Sequence, residues 1–327
     1  MNTTPNGRRH WLLAAATLAT ACSMPSAFAQ SSDNYPSRPI QFIVPYPAGG
    51  ATDVQMRILA EKAGQVLGQP IVVVNQPGVG GTLGPANMAR TAKPDGYTIS
   101  TVAGSVYRLP FLQKTTYDPL TDFSYIIRLS NYNFGIVVRA DSPWKSVADV
   151  VAAAKANPDK VAWGGIGQNS SGHIGVTQLS RKAGFQLTYA PYKGAAPIMT
   201  DLLGGHIQIA GDAGWGPMVE SGKLRLLALM GEKSPQYPNT PTLRELGYDI
   251  LADAPTGIAG PKGMPEAIVK KLHDAFRVAS AEPKFVEALR SQGQAEAYMG
   301  TEDFRKWVVN QVATEKRNVT ELDLKVE

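Results

Sequence analysis

The chain has 327 residues, 43% hydrophobic and 18% charged, which is enough for two lobes of ordinary domain size. Its formal balance of +5 is mild and no Lys/Arg run stands out, which argues against a nucleic-acid partner. The single cysteine, Cys22, lies in an N-terminal leader, so the rest of the chain has no disulfide and no cysteine metal site.

Residues 1–29 read as an export signal. Arg8 and Arg9 form the charged start, Trp11 to Ala21 is apolar but too short to span a bilayer, and Ala27-Phe28-Ala29 supplies the small-x-small cleavage pattern. Cleavage is expected after Ala29, which discards Cys22. The paired arginines have some twin-arginine character, and Ala19-Thr20-Ala21 is a poor lipoprotein box. The leader holds two of the 32 basic residues and none of the 27 acidic ones, so the remainder keeps a balance of +3. No later run is apolar enough to cross a membrane.

Ile40 to Val44 reads as a short buried strand, stopped by Pro45 and Pro47. Gly49-Gly50 lets the backbone turn, and from Thr52 onward Val54, Ile58, Leu59, Ala63 and Leu67 recur at helical spacing up to Gly68. A helix start leaves backbone N–H groups unpaired and carries partial positive charge, so this turn is a ready anion site. It has neither the P-loop Lys nor G-x-G-x-x-G spacing, which favours a small anion such as a carboxylate over a nucleotide. The competing reading is a plain β–α turn with Thr52 or Asp53 as N-cap.

Ile71 to Asn75 is a second strand, Gln76 to Thr82 a second glycine turn, and Leu83 to Thr91 a short helix. Tyr97 to Val102 is a third strand closing on Ala103-Gly104-Ser105. Strands alternating with helices imply a parallel, doubly wound sheet whose ligands sit beyond the strands' carboxyl ends, where all three turns lie. Tyr125 to Leu129 and Phe134 to Arg139 follow. A second α/β lobe then opens with a helix from Ser146 to Ala156, a strand from Val161 to Trp163 and the turn Gly164 to His173. Ile174 to Ala183 is its next helix and Phe185 to Tyr189 a strand, followed by the loop Pro191 to Pro197. Ile198 to Leu203 is helical, and Ile207 to Ala210 and Leu224 to Met230 are strands. Beyond a short strand at Thr256 to Ala259, the tail reads as helices at Pro265 to Ala279, Pro283 to Gln292 and Thr301 to Leu322. It has too little strand for a third lobe, so it is expected to pack back on the first, leaving a cleft between lobes crossed twice by the chain.

Pro45 to Asp53 resembles the opening motif of the Bug-type receptors, the solute-binding proteins of tripartite tricarboxylate transporters. Asn75 to Gly81, Lys93 to Thr98, Tyr117 to Pro119, Pro191 to Gly194, Asp201 to Gly205 and Pro241 to Gly247 match in the same order. The resemblance implies an α/β, two-lobed periplasmic-binding-protein (Venus flytrap, type II) fold, each lobe a doubly wound mixed sheet with helices on both faces. The expected division is 36–135 for the first lobe, 136–227 for the second and 228–327 for the returning tail. It also implies a periplasmic monomer that captures a small carboxylate and hands it to membrane transporter subunits, with no enzyme activity, cofactor, metal or nucleic acid. A secreted serine hydrolase using Ser170 or Ser171 with His173, and a ligand-loaded partner of a sensor kinase, are the alternatives.

By resemblance, Ala48, Gly49 and Gly50 hold one carboxylate through main-chain groups, with Tyr46, Thr52 and Asp53 nearby. Gly81 and Ser105 come from the other turns of the first lobe. The second lobe offers Gln168, Ser170, Ser171 and His173, then Lys193 and Gly194, then Asp212 and Trp215. Lys193 is either a point charge for an acid group or a solvated turn lysine. Asp212 would repel an anion and is expected to cap the next segment unless it meets a ligand amine or hydroxyl. Trp215 and Tyr107 either stack on a ligand or pack the interior, whereas Trp163, within a strand, is expected in the core. His206 and His273 are expected to be structural. Ser105 to Pro110 and Gly211 to Trp215 depart from the common family pattern (Asn-Pro-x-Leu-Tyr and Phe-Asp-Asn), and both are expected to line the cleft.

Overall fold

The computed structural model describes residues 34–167, 169–192, 194–252 and 254–325. The leader and its cleavage point, together with Gln168 and Lys193, lie outside the described residues.

The first strand and helix are β1 (Ile40–Val44) and α1 (Ala51–Leu67), which ends at Gly68 in the left-handed conformation that glycine adopts freely. Next come β2 (Ile71–Asn75), α2 (Leu83–Thr91), β3 (Thr98–Ala103), α3 (Gly104–Leu112) and β4 (Phe123–Tyr132). The chain then passes to β5 (Gly135–Arg139), α4 (Val147–Ala156), β6 (Ala162–Ile166), α5 (Ser171–Ala183), β7 (Thr188–Tyr192), α6 (Ala195–Gly204), β8 (Ile209–Asp212), α7 (Gly216–Glu220) and β9 (Leu224–Leu229). Last are β10 (Pro255–Pro261), α8 (Glu266–Ser280), α9 (Pro283–Arg290), β11 (Gln294–Met299) and α10 (Thr301–Glu321).

Two mixed sheets result, in the orders β11-β4-β10-β3-β1-β2 and β7-β6-β8-β5-β9. In the first, β2, β1 and β3 are parallel while β10 runs antiparallel to both β3 and β4. In the second, β7, β6 and β8 are parallel and β5 is antiparallel to β8 and β9. The fold is α/β and two-lobed, and every loop that leaves a parallel strand at its carboxyl end faces the region where such sheets hold ligands.

Each sheet is cored by its apolar strand faces. Phe42 of β1 meets Phe276 of α8 edge-on at 5.6 Å, and Trp163 of β6 stacks on Phe185 at 5.8 Å. Ile268, Leu272 and Phe276 are all buried, as the amphipathic spacing of α8 requires. Truncating a fully buried ring such as Phe276 to alanine would cost about 3–5 kcal/mol.

The chain crosses between sheets after β4 and again before β10, and the two crossings are laced together. Tyr132 N donates to Ala254 O at 3.3 Å, and Met230 N donates to Phe134 O at 2.8 Å. The tail after β9 contributes β10 and β11 to the first sheet, and α10 packs on α3 and β4.

Several elements differ from the sequence-based expectation, among them the short helix α7, which was not expected. Residues 104–112 form a helix with Pro110 inside it, and the edge strand β11 is new. β6 runs on through Gly164 and Gly165, expected as turn. A Cβ there would lie 2.4 Å from Ile207 Cδ1 or 2.3 Å from the Tyr189 hydroxyl, so these glycines serve close packing rather than a bend. β7 is Thr188–Tyr192 rather than Phe185 to Tyr189, because Phe185 O is held by the Ser180 hydroxyl at 2.6 Å just past the αL end of α5.

Candidate functional site

The first turn is fastened from within. Asp53, 2% exposed, accepts three hydrogen bonds: from Gly49 N at 2.8 Å, Arg57 Nε at 2.9 Å and Asn75 Nδ2 at 2.8 Å. Asn75 Nδ2 also donates to Tyr46 O at 2.9 Å, which ties the end of β2 to the loop after β1. Burial pushes the Asp53 carboxyl up, but the bonds from Arg57, Asn75 and Gly49 outweigh it and hold the group below its ordinary value. The N-cap is Gly50, not Thr52 or Asp53, and Gly49 turns with φ 78°.

That bracing decides which amides remain. Gly49 N is taken by Asp53, and Gly50 N donates to Pro47 O at 3.3 Å. The amides of Ala51, Thr52 and Asp53 open α1 and have no carbonyl one turn back inside the helix. Thr52 is buried, with its hydroxyl 3.5 Å from that of Tyr132 at the first crossing. Tyr46 lies over Gly81, where a Cβ would sit 2.8 Å from the tyrosine hydroxyl. Burial raises the Tyr46 hydroxyl, and nearby Tyr132 adds to the effect.

Ser105 stands in the first turn of α3, and its Oγ is buried with no hydrogen-bond partner among the described residues. Tyr107 is fully buried, edge-on to Trp307 at 5.7 Å, and therefore belongs to the core.

The second-lobe turn is built differently. Gly167 and Asn169 both take left-handed backbone angles, φ 56° and 60°. Ser170 caps α5, accepting from His173 N at 3.1 Å. His173 Nδ1 faces Asn169 N at 3.1 Å and its Nε2 lies 3.5 Å from Thr177 Oγ1. Burial, and then the charge of Arg108, lower this histidine, so the ring is neutral at neutral pH. Its ring centre is 4.4 Å from that of Tyr189. Gly194 is the extended N-cap of α6.

Asp212, 1% exposed, clips two strand ends. It accepts from Ile166 N at 2.6 Å and from Ala213 N at 2.8 Å. Burial outweighs both bonds and pushes the carboxyl up to about 6. Gly172 lets α5 press against it, since a Cβ there would be 2.7 Å from Asp212 Oδ2. Trp215 is fully buried against Tyr237, ring centres 5.0 Å apart, and offers no face to a ligand in this conformation.

Two residues given no individual role in the expected site join it, Tyr132 and, from the Ser105–Pro110 stretch expected to line the cleft, Arg108. Tyr132 reaches Thr52, and its hydroxyl, raised by burial, also senses the charge of Asp212. Arg108 of α3 reaches the second lobe, donating through Nη2 to Ser171 Oγ at 3.0 Å and through Nη1 to Asn169 O. No sequence motif marks either one. Among the described residues no group of His, Cys, Asp or Glu converges as a metal site, and no helix is long and apolar enough to cross a membrane.

The fold and these turns define a two-lobed solute-binding protein. Residues 55–324 match the family model described as the tripartite tricarboxylate transporter family receptor, and the chain belongs to that family. A "UPF0065 protein in gbd 5'region" of Cupriavidus necator is 44% identical over 97% of this chain and 98% of its own length. A Polaromonas TctC solute-binding protein, solved without ligand, shares 36% identity over 88% of this chain and 99% of its own, with a TM-score of 0.77. An R. palustris protein solved with adipate shares 26% identity (TM-score 0.76) over 89% of this chain and 99% of its own. MatC from Rhodopseudomonas palustris, solved with bound malate, shares 25% (TM-score 0.70) over 87% and 100%. The family is one of receptors of periplasmic type rather than of enzymes.

Proposed function

We propose that this chain is exported, cleaved after Ala29, and captures a small organic acid between its lobes for delivery to a tripartite tricarboxylate-type membrane transporter. One acid group docks on the opening amides of α1, Ala51 to Asp53, beneath the Ala48–Gly50 bend and beside Tyr46, Thr52 and Gly81. The second lobe closes on the ligand with the Gln168–His173 turn and with Lys193-Gly194. The observation that carries this reading is the fate of Asp53: its carboxylate is spent on Gly49, Arg57 and Asn75. The one acid group in that helix turn is thereby paired with the Arg57 guanidinium, while the helix start keeps its positive end for an anion. Adipate and malate in the two R. palustris neighbours support a dicarboxylate as cargo.

The lobes on this reading are 36–135 with 228–327, and 136–227, although the second sheet takes β5 from Gly135 and β9 to Leu229, and Met230, Leu243, Ile250 and Ala252 pack into that sheet's core. The engagement of the His173 ring with Asn169 and Thr177 gives no support to a serine nucleophile. Thermal-shift screening with mono-, di- and tricarboxylates, aromatic acids and a neutral sugar tests the proposal. A dicarboxylate is expected to raise the melting temperature most, in proportion to the logarithm of its concentration above Kd. Stabilisation by the sugar and by none of the acids would refute it.

A further inference from the structure

The contacts that cross between lobes beside the second turn centre on one side chain. Arg108 stands on α3 of the first lobe. Its Nε donates to Glu315 Oε2 at 2.7 Å and its Nη2 to Glu315 Oε1 at 2.9 Å, a two-pronged pair with both side chains buried. Gln311, one turn back on α10, donates to Glu315 Oε1 at 3.0 Å and fixes that carboxylate. The guanidinium is thus held flat from behind by α10, and its other edge meets Asn169 O and Ser171 Oγ. Both acceptors belong to the turn that opens α5. Asn169 sits there at φ 60°, a strained angle for a side-chain-bearing residue that a fixed partner on its carbonyl helps to hold. Farther along the same seam, Gln178 Nε2 donates to Asn318 Oδ1 at 3.0 Å and Asn169 Nδ2 to Lys325 O at 2.8 Å.

From this geometry we infer that Arg108 is a positioning residue. Backed by Glu315, it shapes the second lobe's ligand turn from the first lobe, so that this turn is fully formed only when the lobes are together. Arginine suits the task because its planar fork serves a carboxylate on one edge and two oxygens on the other, which a lysine point charge cannot do. The glutamate cancels the arginine's charge, so the turn keeps the field of a neutral helix start instead of gaining a fixed cation. The brace itself is independent of the ligand; only its effect on ligand release rests on the function proposed above.

The test is hydrogen exchange on the unliganded full chain. R108A would strand a buried glutamate and risks unfolding, so the informative variant is R108M/E315L, which removes both charges at similar volume. Exchange in Asn169–Val176 is expected to rise about tenfold, with α3 and α10 exchanging as in the parent. R108K alone should give an intermediate rise. Unchanged exchange at Asn169–Val176 would overturn the inference, and so would faster exchange spread equally over α3 and α10, which marks a general core residue. With malate or adipate present, the double variant should release ligand about tenfold faster, with the association rate within twofold. A failure of both acids to bind either protein would count against the proposed function and leave the exchange result to decide on the brace.

Discussion

The two turns proposed to hold the ligand share one local plan, strand then glycine then helix, and differ in how far away their fastenings lie. The first is closed by its own neighbours: Asp53, Arg57 one helical turn on, and Asn75 on the adjacent parallel strand. The second has local bonds through Ser170 and His173, and is held in addition by distant parts of the chain, namely Arg108 and the end of α10. A turn braced locally keeps its shape with the lobes apart and can receive a ligand first. A turn braced across the gap is completed on closure, so it fits a role in retention. Each turn also has its own buried aspartate. Asp53 has a cation and an amide side chain and is held low; Asp212 has only two backbone amides and is pushed up.

The sharpest way to break the contrast is D53A. It removes the carboxylate that orients Gly49 and fixes Asn75, so the α1 amides lose their alignment. We expect a loss of about 2–3 kcal/mol in urea unfolding, from hydrogen bonds to a charged group. Ligand affinity should fall about 100-fold, equivalent to about 3 kcal/mol, as measured by calorimetry. An affinity within threefold of the parent would show that the bend does not hold the anion.

The two aspartates predict opposite pH effects. The folded value of Asp53 lies below its ordinary 3.8, so its contribution is present above that pH and lost as pH falls through the folded value. Asp212 binds its proton more tightly when folded, up to about 6 against 3.8, so the protein loses stability as pH rises between those values and the loss is constant above. The gap is worth about 3 kcal/mol at 1.36 kcal/mol per unit. The stability of D212N relative to the parent should therefore improve by that order between pH 4 and pH 7. His173 titrates in both proteins and cancels in the difference. A pH-independent difference would place Asp212 in a wetter site than its burial indicates.

How far the sequence was legible follows the same division. The first turn could be read from Ile40 to Leu67 because a buried strand, a proline stop, glycines and a 3.6-residue repeat are all local signals. Arg57 is four residues from Asp53 and within reach of such reasoning, whereas Asn75 enters only through the pairing of Val44 with Asn75. The Arg108–Glu315 pair spans 207 residues and leaves no local trace. Nor did Gln294–Met299 read as a strand, for it is an edge whose residues are half exposed and carry little apolar alternation. Gly164 and Gly165 misled for the opposite reason, since glycine signals a turn in sequence yet here makes room for neighbouring side chains. Tyr107 and Trp215, open between ligand and core in sequence, lie in the core because α10 and Tyr237 cover them.

The smallest effect separates folding from binding within the second turn. Ser170 caps α5 through His173 N, and Ser146 caps α4 through Asp149 N in a reciprocal box with the Asp149 side chain. Both are N-cap serines, and replacing either with alanine should cost about 1 kcal/mol of stability. On the proposed function only α5 opens toward the ligand, so S170A should also weaken acid binding about fivefold while S146A leaves it unchanged. Measured by chemical denaturation and calorimetry on the same two proteins, equal stability losses with unequal affinities would place the ligand at the α5 turn. Equal affinities would leave the first lobe holding the anion alone, and the brace across the gap would then act on closure without touching the cargo.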